Sequence, residues 1–286
     1  MKDLTIGIIG GTGGMGKWLK GFFEDSGYRV LIAGRYTTLN PVELAKESDV
    51  VVLSVPINAA QMVIKEVGPH IRKDGLLLDV TSLKVGIMEA MLKHAQSSVI
   101  GTHPLFGPTA RSITNRTVVI CPGRGDKWLA WLTNLLREKG AKIKISTPEE
   151  HDQMMSIVQG LTHLSTIALA QTIKALNVDL DDSLQHATPV YRLKMYMIGR
   201  LFAQNLGLYT DLEMQNSHTS EVAKAFLESV QMVSKIVQEK DSSRFRELLN
   251  ETADFLGDLK HTILDEASNV FAEFLDTGSN SSRCEE

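Results

Sequence analysis

Three residues of this chain have the types and surroundings to do chemistry. His103 stands in Gly101-Thr-His-Pro-Leu-Phe-Gly-Pro108, at the end of an apolar run. Histidine is the side chain whose ordinary pKa lets it accept a proton near neutrality, and strand ends in an open α/β sheet are where ligands bind. Ser82 follows a second apolar run, in Asp79-Val-Thr-Ser-Leu-Lys84. If both runs are parallel strands, Ser82 and His103 lie on one sheet edge and can meet over a bound ring. Arg200 closes an apolar helical stretch that also carries Arg192, eight residues earlier. At about 100° per residue the two arginines point roughly 80° apart, so one can face a pocket while the other faces different surroundings.

The group these residues would act beside is indicated at the start of the chain. Thr5 to Ile9 runs into Gly10-Gly-Thr-Gly-Gly-Met-Gly16, which contains the pattern G-x-G-x-x-G as Gly11, Gly13 and Gly16. Between a strand and a helix this is the dinucleotide fingerprint. Gly11 allows the tight turn, Gly13 lets the backbone approach a pyrophosphate, and Gly16 allows close packing of the helix. Thr12, Gly14 and Met15 complete the loop, and the helix N-terminus offers free N–H groups to an anion. After the second strand, where an NAD site usually carries an acid, the chain reads Ala33-Gly-Arg-Tyr-Thr-Thr38. Arg35, flanked by threonines, suits the 2'-phosphate of NADP, so NADP is favoured over NAD. Ser54-Val55-Pro56 ends the third strand and is expected to line the same cofactor edge.

The elements that position these groups are legible from periodicity. Strands are expected at Leu4 to Ile9, Tyr28 to Ala33, Val50 to Val55, Leu76 to Val80, Ser98 to Gly101, Thr117 to Cys121 and Lys142 to Ile145. Helical stretches fall between them at Met15 to Ser26, Asn58 to Glu66, Val85 to His94 and Lys127 to Lys139. This alternation predicts a Rossmann-type, doubly wound parallel sheet over residues 1–147. Beyond it the β-rich runs stop, and Ile157, Leu161, Leu164 and Ala168 recur at helical spacing. Residues 148–276 are therefore expected to form an all-helical substrate and dimerisation domain. Its first helix, Pro148 to Leu176, is long enough to call for a partner, which predicts a homodimer. The tail 277–286, Thr-Gly-Ser-Asn-Ser-Ser-Arg-Cys-Glu-Glu, is expected to be disordered.

Composition narrows the partners. The 286 residues are 43% hydrophobic with a formal net charge of −4, and Lys and Arg are dispersed, which speaks against a nucleic-acid binder. The two cysteines, Cys121 and Cys284, form no pair and no metal-ligand spacing, so no metal is expected and a reducing cytoplasm fits. No apolar run reaches the ~20 residues of a membrane span, and the N-terminus enters a strand without a leader pattern.

The glycine loop, Asp79 to Lys84, Thr102 to Pro108, Gln159-Gly-Leu-Thr-His163 and Tyr191 to Gln204 running on to Leu208-Tyr209 together resemble the prephenate dehydrogenase family of tyrosine biosynthesis. The resemblance extends over nearly the whole chain and is nearest to the archaeal and enteric-type branches. It implies oxidative decarboxylation of prephenate to 4-hydroxyphenylpyruvate, with hydride passing to NADP or NAD. It implies that His103 is the catalytic base, that Ser82 orients it or the substrate hydroxyl, that Arg200 holds a substrate carboxylate, and that His163 lies in the substrate pocket. Arg192 reads as structural, and Tyr209 falls near the pocket that related enzymes use for substrate or feedback inhibitor. No appended chorismate mutase or regulatory module is expected. Arogenate is an alternative substrate. A NADP-dependent deazaflavin-type reductase and a non-catalytic NADPH-sensing protein are the rival readings; the helical half exceeds what the first would need, and the second leaves His103, Ser82 and Arg200 without shared work.

Overall fold

A computed structural model describes residues 3–280, with side chains through residue 272. In chain order the first elements are β1 (Thr5–Ile9), α1 (Gly14–Glu24), β2 (Arg29–Ala33), α2 (Pro41–Glu47), β3 (Val50–Leu53), α3 (Ile57–Val67), β4 (Leu76–Asp79) and α4 (Val85–His94). They continue with β5 (Ser98–Pro104), β6 (Thr117–Arg124), α5 (Asp126–Glu138) and β7 (Lys142–Ile145). Nine further helical segments follow, with one irregular. They are α6 (Pro148–Met155), a π-helical segment (Ser156–Leu161), α7 (Thr162–Ala175), α8 (Leu180–Gln185), α9 (Pro189–Phe202), α10 (Leu206–Gln215), α11 (Thr219–Glu239), α12 (Ser242–Leu256) and α13 (Leu259–Asn280).

The strands form a seven-stranded sheet in the order β2-β1-β3-β4-β5-β6-β7. Each central strand alternates its side chains between two separate cores. Val50 and Val52 of β3 join Ile6, Ile8, Leu76 and Leu78 under the tryptophans of α5, whereas Val51 and Leu53 join Leu77, Ile64 and Met91 under α3 and α4. A strand covered on both faces has no polar side, which is why Val-Val-Val-Leu and Leu-Leu-Leu-Asp read as unbroken apolar runs. All pairings are parallel except β5 with β6. That one pair corrects the all-parallel expectation. No helix crosses between β5 and β6, so the chain can only return antiparallel.

The same pairing lengthens β5. Parallel contact with β4 ends at Gly101, but β6 continues to pair with Thr102, His103 and Pro104, and His103 lies opposite Val119. His103 is therefore inside a strand instead of just beyond one. The helix α2 was not foreseen; it starts at a capping box in which Asn40 accepts from the Glu43 N–H at 2.9 Å and Glu43 reaches back to the Asn40 N–H.

By its contacts the chain divides into two units, residues 1–160 with 205–219, and residues 161–204 with 220–286. The texture change at Pro148 thus precedes the division, and α10 belongs with the sheet. The single long helix expected from Pro148 to Leu176 is interrupted by the π-helical turn at Ser156–Leu161. Such a turn shifts the face that following residues present, and a period count cannot register it. In the second unit α7 contacts α9, and Arg192 donates from Nη2 to the Leu184 carbonyl at 3.0 Å. The backbone of α13 is helical through Asn280, four residues into the segment expected to be disordered; residues 281–286, with Cys284, lie outside the described residues.

Candidate active site

The glycine turn is set by backbone geometry. Gly10 takes φ +85°, a region side chains rarely adopt, and a Cβ there would stand 2.2 Å from the Ser54 carbonyl oxygen. A Cβ on Gly16 would meet the Gly10 carbonyl oxygen at 2.2 Å, so α1 can start this close to the turn only with glycine at both positions. The turn's left-handed residue is thus Gly10, next to the expected Gly11. Gly13 is the N-cap of α1; no side chain caps it and its first turn holds no acid. The N–H groups of Gly14, Met15 and Gly16 are consequently left without a side-chain acceptor, at the positive end of the helix dipole. That is the chemistry a dinucleotide pyrophosphate needs, so the residues present fit the cofactor.

The surrounding loops close on this turn. A Cβ on Gly14 would lie 3.2 Å from Pro108, which places the loop following His103 over the start of α1. Thr12 leans on Gly34, whose added Cβ would meet its Oγ1 at 2.8 Å. Arg35 is exposed, but the Thr37 hydroxyl is already engaged, accepting from the Gly34 N–H at 2.8 Å and donating toward backbone carbonyls. Ser54 is half-buried and its N–H donates to the Ile9 carbonyl at 2.8 Å, Val55 packs on the second core, and Pro56 is the exposed N-cap of α3.

Between β4 and β5 lies a fully buried ion pair. Lys84 reaches from the start of α4 to Asp79 at the end of β4, donating to both carboxylate oxygens, to Oδ1 at 2.6 Å. It also donates to the Thr102 carbonyl at 2.9 Å, while the Thr81 hydroxyl donates to Asp79 Oδ2 at 2.6 Å and the Thr102 hydroxyl to the Asp79 carbonyl at 2.6 Å. Burying two charges is costly unless every remaining lone pair and proton is matched, and here the threonines and the β5 carbonyl do the matching. The network clamps the end of β4 to the strand segment that carries His103.

His103 is only 4% exposed, and its Nδ1 lies 2.9 Å from Nε2 of His151. His151 is buried in α6, and its own Nδ1 lies 2.7 Å from Oδ1 of Asp152. Asp152 in turn accepts the Lys84 N–H at 2.8 Å and the Val85 N–H at 2.9 Å, the first free donors of α4, and the Asp152 carbonyl accepts at 2.8 Å from Asn216, the C-cap of α10. Burial, followed by the neighbouring His151 and Lys84, pushes the His103 pKa well below 6.5. The imidazole is thus neutral at neutral pH, and Nε2 is the nitrogen not committed to His151. Ser82 sits half-buried in the turn before Lys84, with no hydrogen bond to His103.

The sequence reading brought the glycine turn, Ser54 and His103 to one sheet edge, and the structure has them there. It missed His151 and Asp152 as members of the site. The available signal was Thr147-Pro148-Glu149-Glu150, a capping box that begins a helix with His151 and Asp152 in its first turns. In the second unit, His163 is half-buried in the first turn of α7, and Arg200 is exposed in the last turn of α9. Tyr209 lies within α10, which starts at Leu206, with the Asn205 side chain accepting from the Gly207 N–H.

A glycine-turn dinucleotide cradle on a Rossmann-type sheet, with a buried neutral imidazole at the carboxyl edge, defines a nucleotide-binding protein equipped for acid–base work. Residues 30–145 match the family described as prephenate dehydrogenase, nucleotide-binding domain, and residues 147–251 match prephenate dehydrogenase, dimerization domain. The chain belongs to the prephenate dehydrogenase family. It is 39% identical over 274 residues to a probable arogenate/prephenate dehydrogenase of Methanocaldococcus jannaschii, covering 89% of this chain and 61% of that relative's length. It is 31% identical over 268 residues to the T-protein of Haemophilus influenzae, covering 94% of this chain and 71% of the relative. The fold is similar to the crystal structure of prephenate dehydrogenase from A. aeolicus in complex with hydroxyphenyl propionate and NAD+, with a TM-score of 0.73 at 18% identity over 91% of this chain and 98% of that one.

Proposed function

We propose that this protein oxidatively decarboxylates prephenate to 4-hydroxyphenylpyruvate and CO2. The observation that carries the reading is the buried, neutral His103 on the sheet edge that also holds the glycine turn. A bound NAD(P) would supply the hydride acceptor. His103 accepts the proton of the ring hydroxyl as the carbon beneath it becomes carbonyl-like, which lowers the barrier to hydride loss. When the ring carboxylate leaves as CO2, its bonding electrons make the ring aromatic and the carbonyl oxygen recovers a proton from His103. The histidine therefore ends each turnover neutral, with no net proton consumed. Ser82 is proposed to orient the hydroxyl. In the second unit, Arg200 is proposed to hold the side-chain carboxylate in a bidentate fork and His163 to line the substrate pocket.

The glycine loop from Gly11 to Gly16, with Ser54, Val55 and Pro56, is proposed to hold the cofactor. Arg35, exposed and with no acid at the end of β2, supports NADP over NAD. Arg35→Asp is expected to weaken NADP about ten- to a hundredfold and to improve NAD, read by titration of both cofactors. A wild-type preference for NAD would remove that part of the proposal. A homodimer through the helical half is supported by its match to a dimerization domain, and a cytoplasmic setting by the free, buried thiol of Cys121. Among the described residues no helix is long and apolar enough to cross a membrane.

Arogenate, which carries an amino group where prephenate has a keto group, is the second reading, since the name of the Methanocaldococcus relative gives both substrates. Purified protein tested with prephenate or arogenate against NAD or NADP, by absorbance of the reduced nicotinamide, decides substrate and cofactor together. Cofactor binding without turnover on either substrate would overturn the enzyme reading.

A further inference from the structure

We propose that Asp152 and His151 are positioning residues that fix the tautomer of His103, holding its proton on Nδ1 so that Nε2 presents a lone pair to the substrate hydroxyl. The inference rests on the reading of His103 as the base. It follows from counting donors and acceptors along one buried chain of hydrogen bonds. Asp152 uses Oδ1 to accept the Lys84 N–H and Oδ2 to accept the Val85 N–H, so the carboxylate acts as an acceptor on both oxygens. His151 Nδ1, 2.7 Å from Oδ1, must then be the donor. With His151 neutral as part of the same proposal, its protonated Nδ1 leaves Nε2 bare. That bare nitrogen is 2.9 Å from His103 Nδ1, which must therefore carry the hydrogen between them. His103, neutral in turn, is left with an unprotonated Nε2.

The surroundings make this ordering stringent. His103, His151 and Asp152 are 4%, 2% and 6% exposed, so water cannot readily substitute for a missing partner. Lys84, at the start of α4, is the cation that acts on His103, and Asp152 of α6 lies beyond His151. Lys84 and Asp79 are paired with each other, leaving Asp152 as the carboxylate in line with the two rings. When His103 takes the substrate proton at Nε2, its Nδ1–H bond to His151 becomes charge-assisted, and the Asp152 carboxylate lies on the far side of His151 to stabilise the cation. The opposite tautomer would point Nε2–H at the substrate hydroxyl and could not accept its proton. A third group that selects the productive tautomer of a histidine base is a general device in enzymes; here the selecting group acts through a second imidazole.

The full-length protein labelled with 15N in its histidine rings provides the test, at a pH where His103 is neutral. Ring signals are assigned with His103→Asn and His151→Phe. The expected spectrum has His103 protonated at Nδ1 and bare at Nε2. In His151→Phe, which removes the acceptor, the His103 signals should shift toward the other tautomer and kcat should fall about a hundredfold, with Kd for the cofactor unchanged. His151→Gln retains an acceptor carbonyl toward His103 and should recover at least tenfold of that loss, a rescue that a purely structural role would not produce. A wild-type His103 protonated at Nε2 would overturn the proposal, as would a folded His151→Phe with wild-type kcat. If His151→Phe does not fold, the wild-type spectrum still decides. Loss of the base reading is separately visible, because it requires His103→Asn to turn over normally whatever the tautomer.

Discussion

The two units of this chain treat apolar surface in opposite ways. In the sheet unit every residue of β3 and β4 is buried, and helices on both faces complete two cores within one chain. In the helical unit neither α7 nor α12 has a buried residue, and Leu227, Val230, Val233 and Val237 of α11 are all exposed although they recur every three or four residues. Such a stripe is the face a helix normally hides. The sheet unit is thus a self-sufficient scaffold on which chemistry can be held rigid, while the helical unit leaves an apolar face uncovered within a single chain. Its match to a dimerization domain agrees with that physical reading.

The contrast predicts that variants in the two units fail differently. His103→Asn should lower kcat by roughly 10²- to 10⁴-fold with cofactor affinity nearly unchanged, because it removes a proton acceptor used in the transition state. Arg200→Gln should instead mainly raise KM for prephenate, because a spectator carboxylate is held equally before and during reaction. Steady-state kinetics of both variants checks the pair. An Arg200 variant with wild-type KM and reduced kcat would erase the distinction between the units.

Within the sheet unit, Lys84→Met strands the buried Asp79 carboxylate and should cost about 3 to 5 kcal/mol, measured by urea unfolding. The exposed pair of Lys20 with Glu24 in α1 sets the contrast, since its removal should cost no more than about 0.5 kcal/mol. Val233→Glu in α11 should leave the melting of the sheet unit in place but weaken self-association. Losing an apolar contact worth about 1.5 kcal/mol on each of two symmetric faces corresponds to about a hundredfold in Kd. Sedimentation equilibrium reads this directly, and an unchanged mass distribution would show that α11 is not the covered face.

The smallest effect is a pH dependence confined to the sheet unit. Folding holds His103 neutral with its pKa pushed well below 6.5, whereas in the unfolded chain it protonates near 6.5. The unfolded state therefore binds more protons just below that pH, so stability is complete above about 6.5 and declines as the pH falls below it. Comparing the urea midpoint at several pH values in wild type and His103→Asn isolates the contribution, which should vanish in the variant.

Much of the sheet unit was legible because its signals are local. Strand runs covered on both faces are continuous in sequence, and the glycine turn needs its residues side by side, so β1 to β4 and that turn lie within a residue or two of where periodicity and spacing put them. The antiparallel return of β6 was not, since strand direction depends on what fills the connection and not on the strand's own residues. The same pairing carries β5 past Gly101 and puts His103 within its last residues, opposite Val119. Likewise the π-helical turn at Ser156–Leu161 left no trace in a pattern read at one fixed period.

The local order of residues sets the glycine turn, the alternation that builds the sheet, and a histidine at the end of a strand. All of these follow from contacts between residues a few positions apart, or from patterns repeated along a single element. Only the tertiary structure decided which nitrogen of His103 is committed, because His151 is 48 residues away and Asp152 meets the backbone of Lys84 and Val85 across 68 and 67 residues. Hydrogen-bond partners over such separations are chosen by the packing of α6 against α4 and the sheet, and packing of that kind has no signature in the order of residues.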